Sequence, residues 1–165
     1  MIGFLRIALL SSMLGSVPLL AQAAQKLTPF DATTPAALKQ TYAGKPFVLV
    51  FWSVACAPCL VDMAQWRNFG RKYPGVIIVH VATESLEDSA AIEAALERHD
   101  PGASDQRAFA DDFPERIRFA MDPSWRGETP RAYFFDRKHE RITRSGALDV
   151  DWTRRWFEQQ TAPMP

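Results

Sequence analysis

The chain has 165 residues, 47% of them apolar, and 19 acidic residues balance 19 basic ones. That length suits one domain with a real core, and the apolar fraction excludes a disordered chain. A net charge of zero gives no basic excess for a nucleic-acid backbone, and the short clusters Arg116-Ile117-Arg118 and Arg141 to Arg144 read as solvated edges.

The first residues have export character. Arg6 precedes an apolar stretch from about Ile7 to Leu20, and the small-residue pattern Ala21-Gln22-Ala23 follows. That is the order of a secretory signal, so residues 1–23 are expected to be cleaved and 24–165 to form the domain. Left uncleaved, the segment would serve as a membrane anchor, although it is short for a span and lacks stop-transfer charges. Export would place both cysteines where a disulfide can persist.

A short helix is expected from Pro35 to Tyr42, punctuated by Gly44. Pro46 to Trp52 is a continuous apolar run and reads as a central strand buried on both faces. A helix should run from near Cys56 to about Phe69, and Gly75 to Ala82 is a second buried strand. Ser85 reads as an N-cap with Asp88 three residues on, opening a helix to about His99 with Ala91, Ile92, Ala95 and Leu96 on its apolar face. Asp100 to Asp105 reads as a loop, Gln106 to Phe113 as a short helix ended by Pro114, and Arg116 to Asp122 as a third strand. Arg131 to Asp136 and Glu140 to Gly146 read as two strands joined by a tight turn through Arg137 to His139. Asp149 is the expected cap of a last helix with Trp152, Trp156 and Phe157 on one side. This order predicts one α/β domain, with a mixed sheet and helices on both faces.

The only cysteines, Cys56 and Cys59, stand at the end of the first apolar run, in FWSVACAPCLVDM. A structural zinc site needs more ligands, and His80, His99 and His139 are scattered without a ligand spacing. His80 lies in a strand-like run and reads as a packed or hydrogen-bonded histidine. A purely structural disulfide would close a very small loop and gain little from chain entropy. Thiol exchange fits better. A strand running through a short loop into a helix puts Cys56 at the helix N-terminus, where unpaired N–H groups favour a thiolate. Cys59, one turn further on, could resolve a mixed disulfide, and Pro58 suits a first helical turn. Asp62, three residues after Cys59, is either a group facing the pair that shifts thiol pKa values or relays a proton, or a solvated first-turn aspartate. A reading from another class is Cu(I) binding by the two thiolates, with Met63 as a weak third ligand. Met63 is otherwise core on the Cys59-Met63-Trp66 stripe.

Phe51, Trp52, Cys56, Pro58 and Cys59 resemble the active-site segment of the thioredoxin superfamily, and most closely the exported TlpA/ResA-like thiol–disulfide oxidoreductases. The resemblance implies a thioredoxin-like fold over residues 24–165: a mixed central sheet flanked by helices, with a helical insertion between Ser85 and Asp112. It implies Cys56 as nucleophile, Cys59 as resolving thiol and Asp62 as the family carboxylate. Thr129-Pro130 would be a cis peptide bond facing the dithiol, and Thr129, Pro130 and Trp52 would bind substrate. No cofactor and no nucleic acid are implied. The partners would be exported proteins with thiols or disulfides, such as apocytochrome c or a copper-site protein, and a membrane electron donor. The location would be periplasmic or otherwise exported. Four positions depart from the family pattern. Ala55 replaces the usual tryptophan and Ala64 a proline; Val50 stands where thioredoxins bury an aspartate, and Leu60 where a cation is common. These departures point to a dedicated, partner-specific reductase. A dithiol oxidase and a Cu(I)-binding protein or metallochaperone are the alternatives.

Overall fold

The computed structural model describes residues 27–162, so the expected signal segment lies outside the described residues. Six strands form one sheet in the order β1-β4-β3-β2-β5-β6. The strands are β1 (Thr28–Phe30), β2 (Phe47–Trp52), β3 (Ile77–Ser85), β4 (Asp105–Phe109), β5 (Arg131–Phe135) and β6 (Arg141–Ser145). β1, β4, β3 and β2 run parallel to one another, and β5 lies antiparallel to both β2 and β6. The helices are α1 (Thr34–Thr41), α2 (Ala57–Lys72), α3 (Ser89–His99), α4 (Pro114–Met121) and α5 (Val150–Thr161). The expected mixed sheet with helices on both faces is present.

Every residue of β2 is buried, as its unbroken apolar run requires. Side chains alternate across a strand, so Phe47, Leu49 and Phe51 point to one face. There they pack with Leu38 of α1 and Ile117 and Met121 of α4, beside Trp125 and Tyr133. Val48 and Val50 point to the other face, against Trp66 and Phe69 of α2 and Trp156 and Phe157 of α5. Trp52 ends the strand in a third cluster with Cys59, Met63, Ile92 and Ala95. Asp149 caps α5 as expected, accepting from the Trp152 N–H at 2.9 Å.

Two segments differ from the sequence reading. Gln106 to Phe113, expected as a helix, holds strand β4, paired on both sides by β3 and β1. Its buried residues are Gln106, Ala108 and Phe109, and the polar glutamine hides the strand pattern. Pairing on both edges outweighs a weak local helical pattern. The unit between Ser85 and Asp112 is therefore a helix followed by a strand. Arg116 to Asp122, expected as a strand, holds the end of α4 and its C-cap Asp122, and the helix starts with Pro114 at a position where no N–H is needed. Ile117 and Met121, four apart, are both buried, whereas Phe119 is 69% exposed, so the apparent two-residue alternation carries no burial. The three-residue β1 left no readable pattern. Ser85 accepts from the Glu87 N–H and caps a short 3-10 turn, and α3 begins after it.

His80 lies on β3 at 1% exposure, its Nδ1 3.0 Å from the Ser104 hydroxyl. It is the packed, hydrogen-bonded histidine expected. Burial pushes its pKa down to about 3 from 6.5. The unfolded chain then holds the extra proton between those values. Stability is complete above about pH 6.5 and declines as pH falls toward 3, by at most ~1.4 kcal/mol per pH unit from this group. The denaturant midpoint should therefore be lower at pH 5 than at pH 7.5, and His80→Gln should remove part of that difference. A difference untouched by the substitution would assign the acid sensitivity to other groups.

Candidate active site

Cys56 and Cys59 are joined in a disulfide, with Cα atoms 5.2 Å apart. Cys56 is the N-cap of α2, its backbone extended, and its carbonyl accepts from the Leu60 N–H at 3.2 Å. Its sulfur accepts from the Cys59 N–H at 3.3 Å. A sulfur so placed meets the unpaired N–H groups that open a helix, which stabilise negative charge there. Pro58 occupies the first turn, where its missing N–H costs nothing. Cys56 is half-buried and Cys59 is 3% exposed. Ala55, Ala57 and Pro58 beside them are exposed, and Val61 is 75% exposed, so the rim is apolar. Trp52 is 1% exposed and packs beneath Cys59 as a floor. Its indole N–H is buried without a partner among the described residues.

The ends of the neighbouring strands lie at the same end of the sheet as this dithiol. Thr129-Pro130 is a cis peptide bond. Arg131 pairs with Phe51, which puts Pro130 at the end of the sheet from which β2 leads to Cys56. The Pro130 carbonyl accepts from the Gly146 N–H at 2.9 Å. Neither backbone polar group of Thr129 bonds another described residue. Asp62 is half-buried, and its carboxylate accepts from the Leu148 N–H at 2.8 Å. Burial pushes its pKa up and that hydrogen bond opposes the shift. Met63, the candidate third copper ligand, is a buried member of the Trp52 cluster. Among the described residues no cluster of three or more histidine, cysteine, aspartate or glutamate side chains could hold a metal.

No protein-family model and no curated protein matches the chain. Solved structures do. One is a secreted Mycobacterium tuberculosis disulfide oxidoreductase homologous to E. coli DsbE, at 19% identity and a TM-score of 0.59, covering 73% of this chain and 85% of that one. A second is MTB DsbF in mixed oxidised and reduced forms, at 20% identity and 0.60, covering 74% and 85%. A third is a thiol:disulfide interchange protein from Chlorobium tepidum, at 16% identity and 0.58, covering 74% and 83%. The chain has the thioredoxin-like fold. In this thioredoxin-like frame the structure brings Cys56, Cys59, Trp52, Thr129, Pro130 and Asp62 to one end of the sheet. Asp62 is committed to Leu148 and makes no hydrogen bond to either sulfur.

Two supports of the thioredoxin-like site left no readable spacing in the sequence. Arg131 is buried and ties the connection before Pro130 into one block. It bonds Asp122 at 2.7 Å, Ser145 at 3.0 Å and the Tyr133 hydroxyl at 2.7 Å, and it also pairs with Glu128. Glu128 in turn accepts from the Trp125 indole through its carbonyl, at 3.0 Å. Glu84 is the other. One of its carboxylate oxygens accepts from the Ser53 hydroxyl at 2.6 Å and from the Val54 N–H at 3.0 Å, just before Cys56. A lone charged residue inside or just after a strand is the only signal either leaves.

Asp62 supplies the test for the site. Replacing it with Asn keeps an acceptor for Leu148 and removes the negative charge. If that charge reaches the dithiol, Cys56 alkylation in reduced protein should shift its pH midpoint down by on the order of half a unit. A superimposable pH profile would confine Asp62 to holding Leu148.

Proposed function

We propose that the protein is an exported thiol–disulfide oxidoreductase of the TlpA/ResA type that reduces disulfides of specific partner proteins. The observation that carries this reading is the Cys56–Cys59 pair, with Cys56 at the start of α2 and Cys59 buried behind it. In the reduced form the Cys56 thiolate attacks one sulfur of a partner disulfide. That S–S bond breaks, a mixed disulfide forms, and the other partner sulfur leaves as a thiolate. Cys59, as thiolate, then attacks the Cys56 sulfur and releases the second partner thiolate. The partner gains two electrons and two protons overall, and the protein is left as the observed disulfide. A dithiol donor, proposed to sit in the membrane, must restore the reduced pair.

Export is supported by the signal-like order of Arg6, the apolar run and Ala21-Gln22-Ala23. Among the described residues no helix is long and apolar enough to cross a membrane. Partner specificity is supported by the rim. No charged residue lies between Ser53 and Val61, so a partner segment approaching Cys56 meets apolar surface. The free backbone groups of Thr129 suit an extended segment held by strand-like hydrogen bonds. Copper handling has less support, since Met63 is packed in the core and His80 is bonded to Ser104.

Cys56→Ser should abolish disulfide reduction. Cys59→Ser should leave the first attack intact and accumulate a mixed disulfide on Cys56, visible by non-reducing mass spectrometry. In reduced wild-type protein, iodoacetamide should label Cys56 before Cys59 near neutral pH; the opposite order would sink the assignment. A reduction potential as high as about −120 mV would make the protein an oxidant of its partners instead.

A further inference from the structure

We infer that Glu84 is a positioning residue for Cys56: its carboxylate holds the turn from Ser53 to Cys56 in the form that presents the sulfur at the start of α2. What this means for disulfide exchange rests on the function proposed above, but the placement does not.

β3 pairs regularly with β4 up to Ala82 and Ala108, and the register then shifts, so that Ser85 is the residue opposite Phe109. Thr83 and Glu84 occupy this irregularity. A bulge re-aims the side chains within it and is common beside functional sites. The Glu84 side chain reaches the connection between β2 and α2 and not the β4 ladder.

That connection has three successive backbone donors to satisfy. The Val54 N–H donates to Glu84 Oε1 at 3.0 Å. The Ala55 N–H donates to the Ser53 hydroxyl oxygen at 3.1 Å. The Cys56 N–H donates to the Ser53 carbonyl at 3.0 Å. The Ser53 hydroxyl can accept from Ala55 with its own proton directed at Glu84 Oε1, 2.6 Å away. One carboxylate oxygen therefore terminates both branches of the network, through the Val54 amide and through the Ser53 hydroxyl. Remove it, and the Val54 amide and the Ser53 hydroxyl lose their acceptor together, leaving the Ala55 N–H on a hydroxyl that is no longer anchored beside the tight-turn bond from Cys56. The sulfur would no longer be held against the Cys59 N–H. Glu84 Oε2 is buried without a partner among the described residues. The protein contacts that hold the carboxylate at this spot therefore run through Oε1.

The test compares Glu84→Ala, Glu84→Gln and Ser53→Ala in the full chain. In Glu84→Ala the amide hydrogens of Val54 and Ala55 should exchange faster while those of the β2 core stay protected. Alkylation of Cys56 in the reduced form should slow by about an order of magnitude near neutral pH, the change expected when a helix-terminal thiolate loses its stabilisation. Glu84→Gln keeps an acceptor oxygen for Ser53 and Val54 and should restore both readouts to within about twofold. Ser53→Ala, which leaves the Val54 bond, should free the Ala55 amide but not that of Val54. It stands in for Glu84→Ala if that variant does not fold. Unchanged Cys56 alkylation and Val54 exchange in Glu84→Ala would overturn the inference. So would a Glu84→Gln variant as impaired as Glu84→Ala, since charge and not acceptor geometry would then be the operative property. If the wild type reduces no partner disulfide, the proposed function fails, and the amide and alkylation measurements still decide the role of Glu84.

Discussion

The start of α2 is the constraint on which the rest depends. A helix opens with backbone N–H groups that its own turns cannot satisfy. Here they face the Cys56 sulfur, and the Cys59 N–H already donates to it. The geometry holds only if the chain arrives at one place and in one direction. β2 provides both, because it is buried on both faces and paired on both edges. A strand with so many neighbours cannot slip by a residue without turning Phe47, Leu49 and Phe51 away from their cluster. The position of the sulfur is thus set by aromatic packing well below it.

Around that fixed point, the connections at one end of the sheet are tied to one another. Glu84 links the end of β3 to the turn before Cys56. Asp62 links α2 to the connection between β6 and α5 through Leu148. Gly146, at the start of that connection, donates to Pro130 before β5. Arg131 then ties the Pro130 segment to Asp122 behind it and to Ser145 beside it. The exposed rim of the dithiol is apolar, while the groups fixing it in place are charged or polar and partly buried. Surface charges of this sort would contribute little to stability if they stood alone in water. Here Arg131 is buried and Asp62 and Glu84 are half-buried, and each bonds a specific group on another element, so their effect is to fix relative positions.

The central features of the fold were legible because burial there is written in residue type. β2 is apolar throughout, α5 shows its cap and its aromatic face, and β5 and β6 flank a short polar turn. β4 was not legible because an inward glutamine breaks its alternation, and that glutamine makes sense only beside Ser104, to which it donates at 2.6 Å. α4 was misread because Arg116-Ile117-Arg118-Phe119 alternates by chance, and only the exposure of Phe119 shows which period is real. In the site, the cysteine spacing could be recognised because its chemistry is local to the chain, whereas the cis Thr129-Pro130 bond was an expectation of the family resemblance and not of the local residues. Glu84 acts on Ser53 and Val54, 31 and 30 residues away in sequence, whereas the Arg131 partners Tyr133, Glu128, Asp122 and Ser145 are near in the chain but follow no fixed spacing. No spacing rule finds such residues.

The interior beneath the dithiol is electrically quiet, and this narrows how the thiols can be tuned. Val50 lines the strand where a buried acid would otherwise lie, so no carboxylate on β2 can take or give a proton. On the adjacent strand His80 pairs in register with Val50, but burial holds its pKa near 3, which leaves the ring neutral at neutral pH. Trp52 and Met63 complete an apolar floor. The N–H groups that open α2 meet the Cys56 sulfur and favour a thiolate, and any charge of Asp62 or Glu84 that reaches the pair would oppose it. Cys56, Asp62 and Glu84 are half-buried, so solvent screens these interactions only in part. The helix N-terminus is the stabilising group that the structure places against the Cys56 sulfur, and it acts there only while Cys56 stays in the N-cap position. The tuning of this dithiol is then first a matter of backbone geometry, with charge acting as a correction to it.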